Sequence, residues 1–414
     1  MKKMNRWVYA IVGILVLFCG GVIYAWSVLS APIAAEFPQW SKAQLSVTFT
    51  VTIIMFCLGC MIGGFLSSRV NPRTYVLAAA VLFLAGFQIT AGIRSLGALY
   101  IGFGVISGLG AGFVYNAVMS TITKWFPDRQ GLISGLLLMG FGLSAFVIGK
   151  LYQALTPGTV GAWRGSFRVM SLVIAAVLIL CAPFFRKPGA DFVPPAPAAK
   201  KKVYVNPVAE EASTGQMLRK GAFWLYYLWA ILLSAVGLAL VSQATGSASE
   251  VGVTAGPGTI ATVVGLISVF NSLGRVLSGM LYDRKGRSCT MHAVNLLFIA
   301  TSVILMIALS TRSFLLIIVG FILGGLSYGG VPPVNSAFIS SYYGQKHFSM
   351  NFSVINTNMM FASFGSTIAG SLYDASGSYF STYLFMAGLA AAGTVITLCM
   401  DGCDRRALAA KTRR

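Results

Sequence analysis

Twelve long apolar runs, separated by short polar turns and one longer polar stretch, dominate the chain. They lie at about 7–31, 43–67, 74–93, 96–119, 131–154, 166–186, 221–245, 258–282, 289–310, 313–338, 348–373 and 379–400. A helix needs roughly 17–25 residues to cross a bilayer. A backbone in hydrocarbon must also satisfy its own polar groups, which for runs of this length means helices. Only 10% of the 414 residues are charged, where a soluble globular protein carries about 25%. The mean hydropathy of +0.79 likewise suits a surface that meets lipid. No short leader with a small-residue cleavage site precedes the first run, so that run reads as a retained membrane helix.

The formal net charge of +20 would suggest nucleic acid in a soluble protein. Its distribution points elsewhere. With twelve spans both termini share a side, and that side collects 23 of the 30 Lys and Arg. Six more (Lys42, Arg94, Lys150, Arg164, Arg168 and Arg312) fall on the other side, and Arg275 lies inside a span. Basic loops mark the cytoplasmic face. The expectation is therefore a multi-pass protein of a bacterial-type inner membrane with cytoplasmic termini and no nucleic-acid partner.

Chemistry of the enzymatic kind has little footing. Cys57 and Cys60 form a CxxC, but on an apolar run without a nearby His or acid, which reads as packing. His292 and His347 lack the company a metal site needs. No nucleophile–base pair, Walker loop or dinucleotide fingerprint occurs. The expectation is a protein that is not an enzyme and uses neither cofactor nor metal.

The stretch 187–219, "KPGADFVPPAPAAKKKVYVNPVAEEASTG" and its flanks, is rich in Pro and Ala and poor in large aliphatics. It reads as a cytoplasmic linker between an N-terminal six-helix half, 1–186, and a C-terminal half with its tail, 220–414. The halves echo each other. "GGFLSSRVNPR" (63–73) follows the second span, and "SGMLYDRKGR" (278–287) follows the eighth, the second of its own half. Repeats with a linker between them are typical of secondary transporters, whose site lies at the midplane. In the fourth span Gly104, Gly108 and Gly112 recur every four residues, a spacing that lets helices approach closely in lipid. Pro332 and Pro333 interrupt the tenth span and predict a kink.

These loop motifs resemble the inner-loop signature of the major facilitator superfamily. The second copy keeps Asp283, Gly286 and Arg287, while the first has Ser68 in place of the acid and Asn71 in place of a glycine. "GGVIYAWSVLS" (20–30), "AGFVYNAVMSTITKWFPDRQGLISG" (111–135) and "FNSLGRVLSGMLYD" (270–283) are similar to the oxalate/formate antiporter family and its monocarboxylate-transporter-like members. The resemblance implies an all-α membrane fold of twelve transmembrane helices in two six-helix halves. It also implies that Arg275 binds a substrate carboxylate and that Tyr24, Tyr115 and Tyr328 lie near that centre. Members that carry oxalate have a lysine in the eleventh span. Here "NFSVINTNMMF" (351–361) has none, and Asn358 and Met359 occupy the neighbourhood.

The residues around Arg275 support a role on their own terms. A charge at mid-helix costs about 2.5–3.5 kcal/mol on insertion scales. No Asp or Glu falls well inside any of the twelve runs. Ser268, Asn271, Ser272, Arg275, Ser278 and Gly279 share one helical stripe, which should face the bundle interior. Two placements fit: Arg275 meets an anion in the interior, or it snorkels toward the cytoplasm. In the first, its planar fork of donors matches a carboxylate two-pronged, with Asn271, Asn358 and the tyrosines as hydrogen-bonding company.

The expected function is secondary transport of small organic carboxylate anions, monocarboxylates of the lactate, pyruvate or formate type, by alternating access. A co-transported proton or an exchanged anion would be the coupling partner. The alternatives are an oxalate/formate-type dicarboxylate exchanger and a transporter-like carboxylate sensor.

Overall fold

The computed structural model describes residues 5–40, 42–157, 159–189, 206, 208–252 and 256–412. Positions 190–205 and 207 of the expected linker lie outside these residues, as do Lys2, Lys3, Arg413 and Arg414. Among the described residues every regular element is a helix. Among the same described residues ten helices are long and apolar enough to cross a membrane. One of them, Thr262–Thr311, is 50 residues long and contains the ninth run and all but the first four residues of the eighth. It breaks at Gly286, where φ is 78°, a conformation that glycine adopts without the Cβ penalty. The eleventh run is absent from the ten because it forms three short helices, Phe348–Asn356, Asn358–Ala362 and Phe364–Ser376. All twelve runs are thus helical, eleven of them in one continuous stretch each or joined only by a shorter turn.

Helix starts follow local chemistry. The Asn5 side chain accepts from the Trp7 amide, and that of Asn71 from the Arg73 amide with Pro72 just inside the helix. Both satisfy amides that a helix N-terminus leaves over. The tenth helix, Phe314–Tyr343, runs through Pro332 and Pro333. Large apolar side chains such as Phe65, Leu151, Leu180 and Leu296 stand exposed along the helices, as a lipid-facing surface requires.

The chain divides into two compact units. The first holds 1–127, 136–194 and 352–356; the second holds 128–135, 195–351 and 357–414. The start of the fifth span, 128–135, belongs to the second unit, and one piece of the eleventh, 352–356, to the first.

In the first unit the glycine stripe of the fourth span packs on the second, Lys42–Leu66. A Cβ on Gly108 would lie 2.7 Å from the Thr52 carbonyl oxygen, and one on Gly112 would overlap the Phe56 carbonyl. A π-helical segment, Tyr100–Ser107, holds Gly104, the first residue of that stripe. Polar contacts gather at both ends of this unit. At one, Arg164 Nη2 donates to Glu36 Oε1 at 2.6 Å, Trp163 Nε1 to Glu36 Oε2 at 2.7 Å, and Arg164 Nη1 to the carbonyls of Ala91 and Ile93. At the other, Trp125 Nε1 donates to the Arg186 carbonyl at 2.9 Å, and Lys187 Nζ to that of Ser67 at 3.2 Å.

In the second unit, residues 208–219 of the expected linker make specific backbone contacts. Ser213 and Gln216 form a capping box that starts a short helix, Thr214–Leu218. Glu210 and Ala212 donate their amides to the Tyr342 and Tyr343 carbonyls, and Glu211 accepts from the Gln345 and Lys346 amides. The Ser-x-x-Gln spacing that starts this helix is readable in the sequence, although composition alone gave a linker there.

Candidate functional site

The Arg275 side chain is half-buried on the eighth helix, and its Nε donates to Asn271 Oδ1 at 3.0 Å. The two residues are one turn apart, so the helix itself sets this bond. Asn271 is 7% exposed, and its amide oxygen fixes the plane of the guanidinium. The tenth helix closes over this turn: a Cβ on Gly329 would lie 2.9 Å from the Arg275 amide nitrogen and would overlap the Asn271 carbonyl. Tyr328, next in sequence, is buried at 9% exposure within electrostatic reach of the Arg275 charge. Its ring lies where a Cβ on Gly237 of the seventh helix would fall. Asn358 is fully buried and accepts from Ser234 Oγ at 3.3 Å, joining the eleventh span to the seventh. Arg275, Asn271 and Tyr328 are thus brought together, and Asn358 sits one helix further along in the same unit.

Below this turn the loop motif closes the helix end. Asp283 Oδ1 accepts from the Gly131 amide at 2.7 Å, and Oδ2 from the Leu132 amide at 2.8 Å. These are first-turn amides of the helix Gln130–Leu155, where the orphan donors and the positive dipole end favour a carboxylate. A Cβ on Gly279 would overlap the Gly131 carbonyl, so the two backbones touch here.

Beyond Gly286 lies a cluster that the sequence reading left in the loops. Arg287 is 2% exposed. Its Nη2 donates to Asp401 Oδ1 at 2.6 Å and to Asp404 Oδ2 at 2.8 Å, and its Nε to the Tyr342 hydroxyl at 2.8 Å. Tyr342 in turn donates to Asp404, and Asp401 Oδ2 accepts from Ser288 Oγ at 2.8 Å and faces His292 Nε2 at 3.1 Å.

The other two expected tyrosines belong to the first unit and lie in an aromatic group. Tyr115 is 5% exposed, edge-on to Phe56 and Phe141 at 5.1 and 5.3 Å, and stacked on Phe352 at 5.6 Å. Tyr24 is half-buried, edge-on to Phe141 at 5.4 Å and to Phe49 at 6.0 Å. Phe56 and Phe352 were not singled out in the sequence, since nothing marks two phenylalanines among 28. Beside Tyr115, Asn116 Nδ2 donates to Ser353 Oγ at 2.6 Å, and that hydroxyl donates to the Cys60 carbonyl at 2.6 Å. Trp26 donates its Nε1 to the Leu45 carbonyl, which makes it a packing residue. Cys57 and Cys60 are buried free thiols. Among the described residues no group of three or more His, Cys, Asp or Glu could hold a metal ion.

Comparison with known proteins bears on what this arrangement serves. The sequence profile of the Major Facilitator Superfamily matches residues 10–364 and 255–413. The chain is 28% identical over 352 residues to an oxalate:formate antiporter of Oxalobacter formigenes, covering 83% of this chain and 80% of that protein. It is 24% identical over 387 residues to monocarboxylate transporter 13 of Rattus norvegicus, covering 91% and 85% respectively. Its fold is similar to that of the proton:xylose symporter XylE bound to 6-bromo-6-deoxy-D-glucose, with a TM-score of 0.69 over 96% of each chain at 14% identity.

Proposed function

Since the chain belongs to the major facilitator superfamily, and is therefore a multi-pass membrane transporter and not an enzyme, we propose that it carries small monocarboxylates by alternating access, with Arg275 on the carboxylate. The observation that carries this reading is the bond from Arg275 Nε to Asn271 Oδ1. It fixes the plane of a guanidinium on the polar stripe of the eighth helix, and a planar fork of donors matches a carboxylate two-pronged. The names of the two relatives, oxalate:formate antiporter and monocarboxylate transporter, agree with a carboxylate as cargo. Tyr328, Asn271 and Asn358 supply neutral hydrogen-bonding groups in the same unit. Tyr24 and Tyr115 supply an aromatic and hydroxyl surface in the other. Residues 1–186 and 220–414 are the two moving halves, joined by 187–219, and both termini are cytoplasmic in a bacterial-type inner membrane. A proton or a second anion completes the cycle.

The preference for monocarboxylates follows from charge. Arg275 is the one Lys or Arg well inside a span. A monoanion balances one fixed cation. A dianion leaves a surplus negative charge in a site of low dielectric, which costs several kcal/mol. The oxalate:formate relative favours a second reading, an exchanger that also takes a dicarboxylate. Competition for uptake of a labelled monocarboxylate into proteoliposomes separates the two. Unlabelled lactate, pyruvate or formate should compete at least tens-fold better than oxalate, since each 1.4 kcal/mol is about tenfold. Stronger competition by oxalate would leave the exchanger. Cysteine labelling in sealed cells tests the orientation: sites near Arg94 and Arg312 should react from outside, and sites in 187–219 should not.

A further inference from the structure

The two loop copies differ in charge. In the second, Asp283 caps the helix Gln130–Leu155, and Asp401 and Asp404 pair with Arg287. In the first, Ser68 stands at the position of Asp283, and the loop borders a cavity of about 460 Å³ lined by Arg69, Arg73, Arg186 and Lys187 together with Ser68 and Asn71. Among the described residues no acid lines this cavity, and none of its four basic side chains is in an ion pair with a described residue. Arg73 lines the cavity beside Asn71, whose side chain accepts from the Arg73 amide at 3.1 Å and so fixes the backbone there. Lys187 is held at the rim by the Ser67 carbonyl, and Arg186 is positioned by the bond from Trp125 Nε1 to its carbonyl.

We propose that this cavity is a binding site for a phosphate group, carried either by an anionic lipid headgroup or by a soluble phosphate. Four cations converge on a concave surface at a helix end, and forked guanidinium donors match phosphate oxygens. A basic pocket among membrane helices at headgroup level is suited to such a group. The site is distinct from that at Arg275, which lies on the eighth helix in the other unit and donates to Asn271. The occupant supplies the negative charge that Asp283 provides in the other copy, and its binding ties the second and third spans to the segment that leads into the linker.

The test uses the purified full-length chain in detergent. Native mass spectrometry would read retention of phosphatidylglycerol against phosphatidylcholine of the same acyl chains. Thermal unfolding would read stabilisation by inorganic phosphate against chloride at equal ionic strength. One cation near an anionic headgroup is worth about fivefold in affinity. The pair of changes Arg73→Gln and Arg186→Gln should therefore weaken binding about tenfold or more. Arg94→Gln with Arg312→Gln, away from the cavity, should change nothing, and the melting temperature without added anion verifies folding of each variant. Selective retention of phosphatidylglycerol that inorganic phosphate does not displace assigns the lipid. Saturable stabilisation by phosphate, lost in the double variant, assigns the soluble ion. Equal binding of both probes by wild type and the folded double variant overturns the proposal. So does equal retention of the two lipids without a phosphate-specific shift. Asp191, four residues past Lys187 and outside the described residues, is tested as Asp191→Asn: binding seen only in that variant would also overturn the proposal, because the chain would then supply its own counter-charge.

Discussion

Arg275 and Arg287 lie twelve residues apart, on either side of the end of the eighth span. Arg287 is almost wholly buried, and two aspartates, a tyrosine and a methionine sulfur contact its donors. Arg275 is half-buried, and its Nε is held by a neutral amide. A buried cation matched by fixed carboxylates belongs to the scaffold. Removing it would leave two acids facing each other in a partly buried place. The bond from Arg275 to Asn271 lies within one helix and orients the guanidinium, which the proposed function sets against an anion that comes and goes. The comparison separates two uses of one residue type: at position 287 the arginine joins helices, and at position 275 it is proposed to handle cargo.

The largest effect expected from this contrast is on folding at position 287. Arg287→Ala should destabilise the protein by about 3–5 kcal/mol, the scale for breaking a buried ion pair from one side. The readout is the midpoint of thermal unfolding in detergent. A shift of only a degree or two would show that the cluster is not a structural joint.

Arg275→Ala should do the reverse. Stability should fall by about 1 kcal/mol, the value of an ordinary hydrogen bond, while carboxylate uptake drops to background. Arg275→Lys should remain strongly impaired, because an ammonium is a point charge without the planar fork. Wild-type uptake by Arg275→Ala, with normal expression, would end the cargo role and leave the snorkelling placement.

A smaller effect should come from adding a second cation near Asn358. Met359→Lys or Asn358→Lys should shift preference toward oxalate by tens-fold or less, as restoring charge balance for a dianion predicts. Relative inhibition of monocarboxylate uptake measures it. An unchanged ratio in a folded, active variant would detach charge balance from selectivity.

The smallest effect concerns pH and uses the other end of the first unit as a control. Burial pushes the Glu36 carboxyl up, but hydrogen bonds from Arg164 and Trp163 and the Arg164 charge outweigh it and hold the group below its ordinary 4.5. A carboxyl lowered in the folded state adds stability that is present above the unfolded value and is lost as pH falls through the folded one. Wild type should therefore lose this increment below about pH 4.5, and Glu36→Gln should lack it at neutral pH. Thermal unfolding of the two proteins across that range checks it: identical pH profiles would mean the pair contributes nothing.

The helices were legible in the sequence because each run is long and nearly uncharged, and the break between the eighth and ninth spans falls at the glycine of "DRKGR". The Arg275–Asn271 bond was legible too, since residues four apart on a helix face the same way. The Arg287 cluster was not. Asp401 and Asp404 lie 114 and 117 residues away, and no local pattern couples positions that far apart. The aromatic group around Tyr115 was half legible, through the tyrosines that the resemblance brought forward. Its phenylalanines are indistinguishable from lipid-facing ones until the helices are packed. The short helix within the linker was missed because a Pro- and Ala-rich composition outweighed a four-residue capping signal.

The eleventh span, in three short pieces, has a consequence for how the molecule exchanges protons with water. A long helix such as Gly221–Val251 shields its amides along its whole length. Where the eleventh span breaks, hydroxyls take over some of the pairing: Ser363 Oγ donates to the Met360 carbonyl at 2.7 Å and Ser366 Oγ to that of Ser363 at 2.8 Å, while Tyr227 and Thr357 share a bond of 2.7 Å. Interrupted backbone at membrane depth is tolerated where it is buried in protein or lines water, and short helices open locally at lower free energy than long ones. Amide hydrogen–deuterium exchange should therefore begin around Thr357 and Ser363 well before it reaches the middle of the seventh span, which makes the eleventh the natural place to watch the carrier breathe.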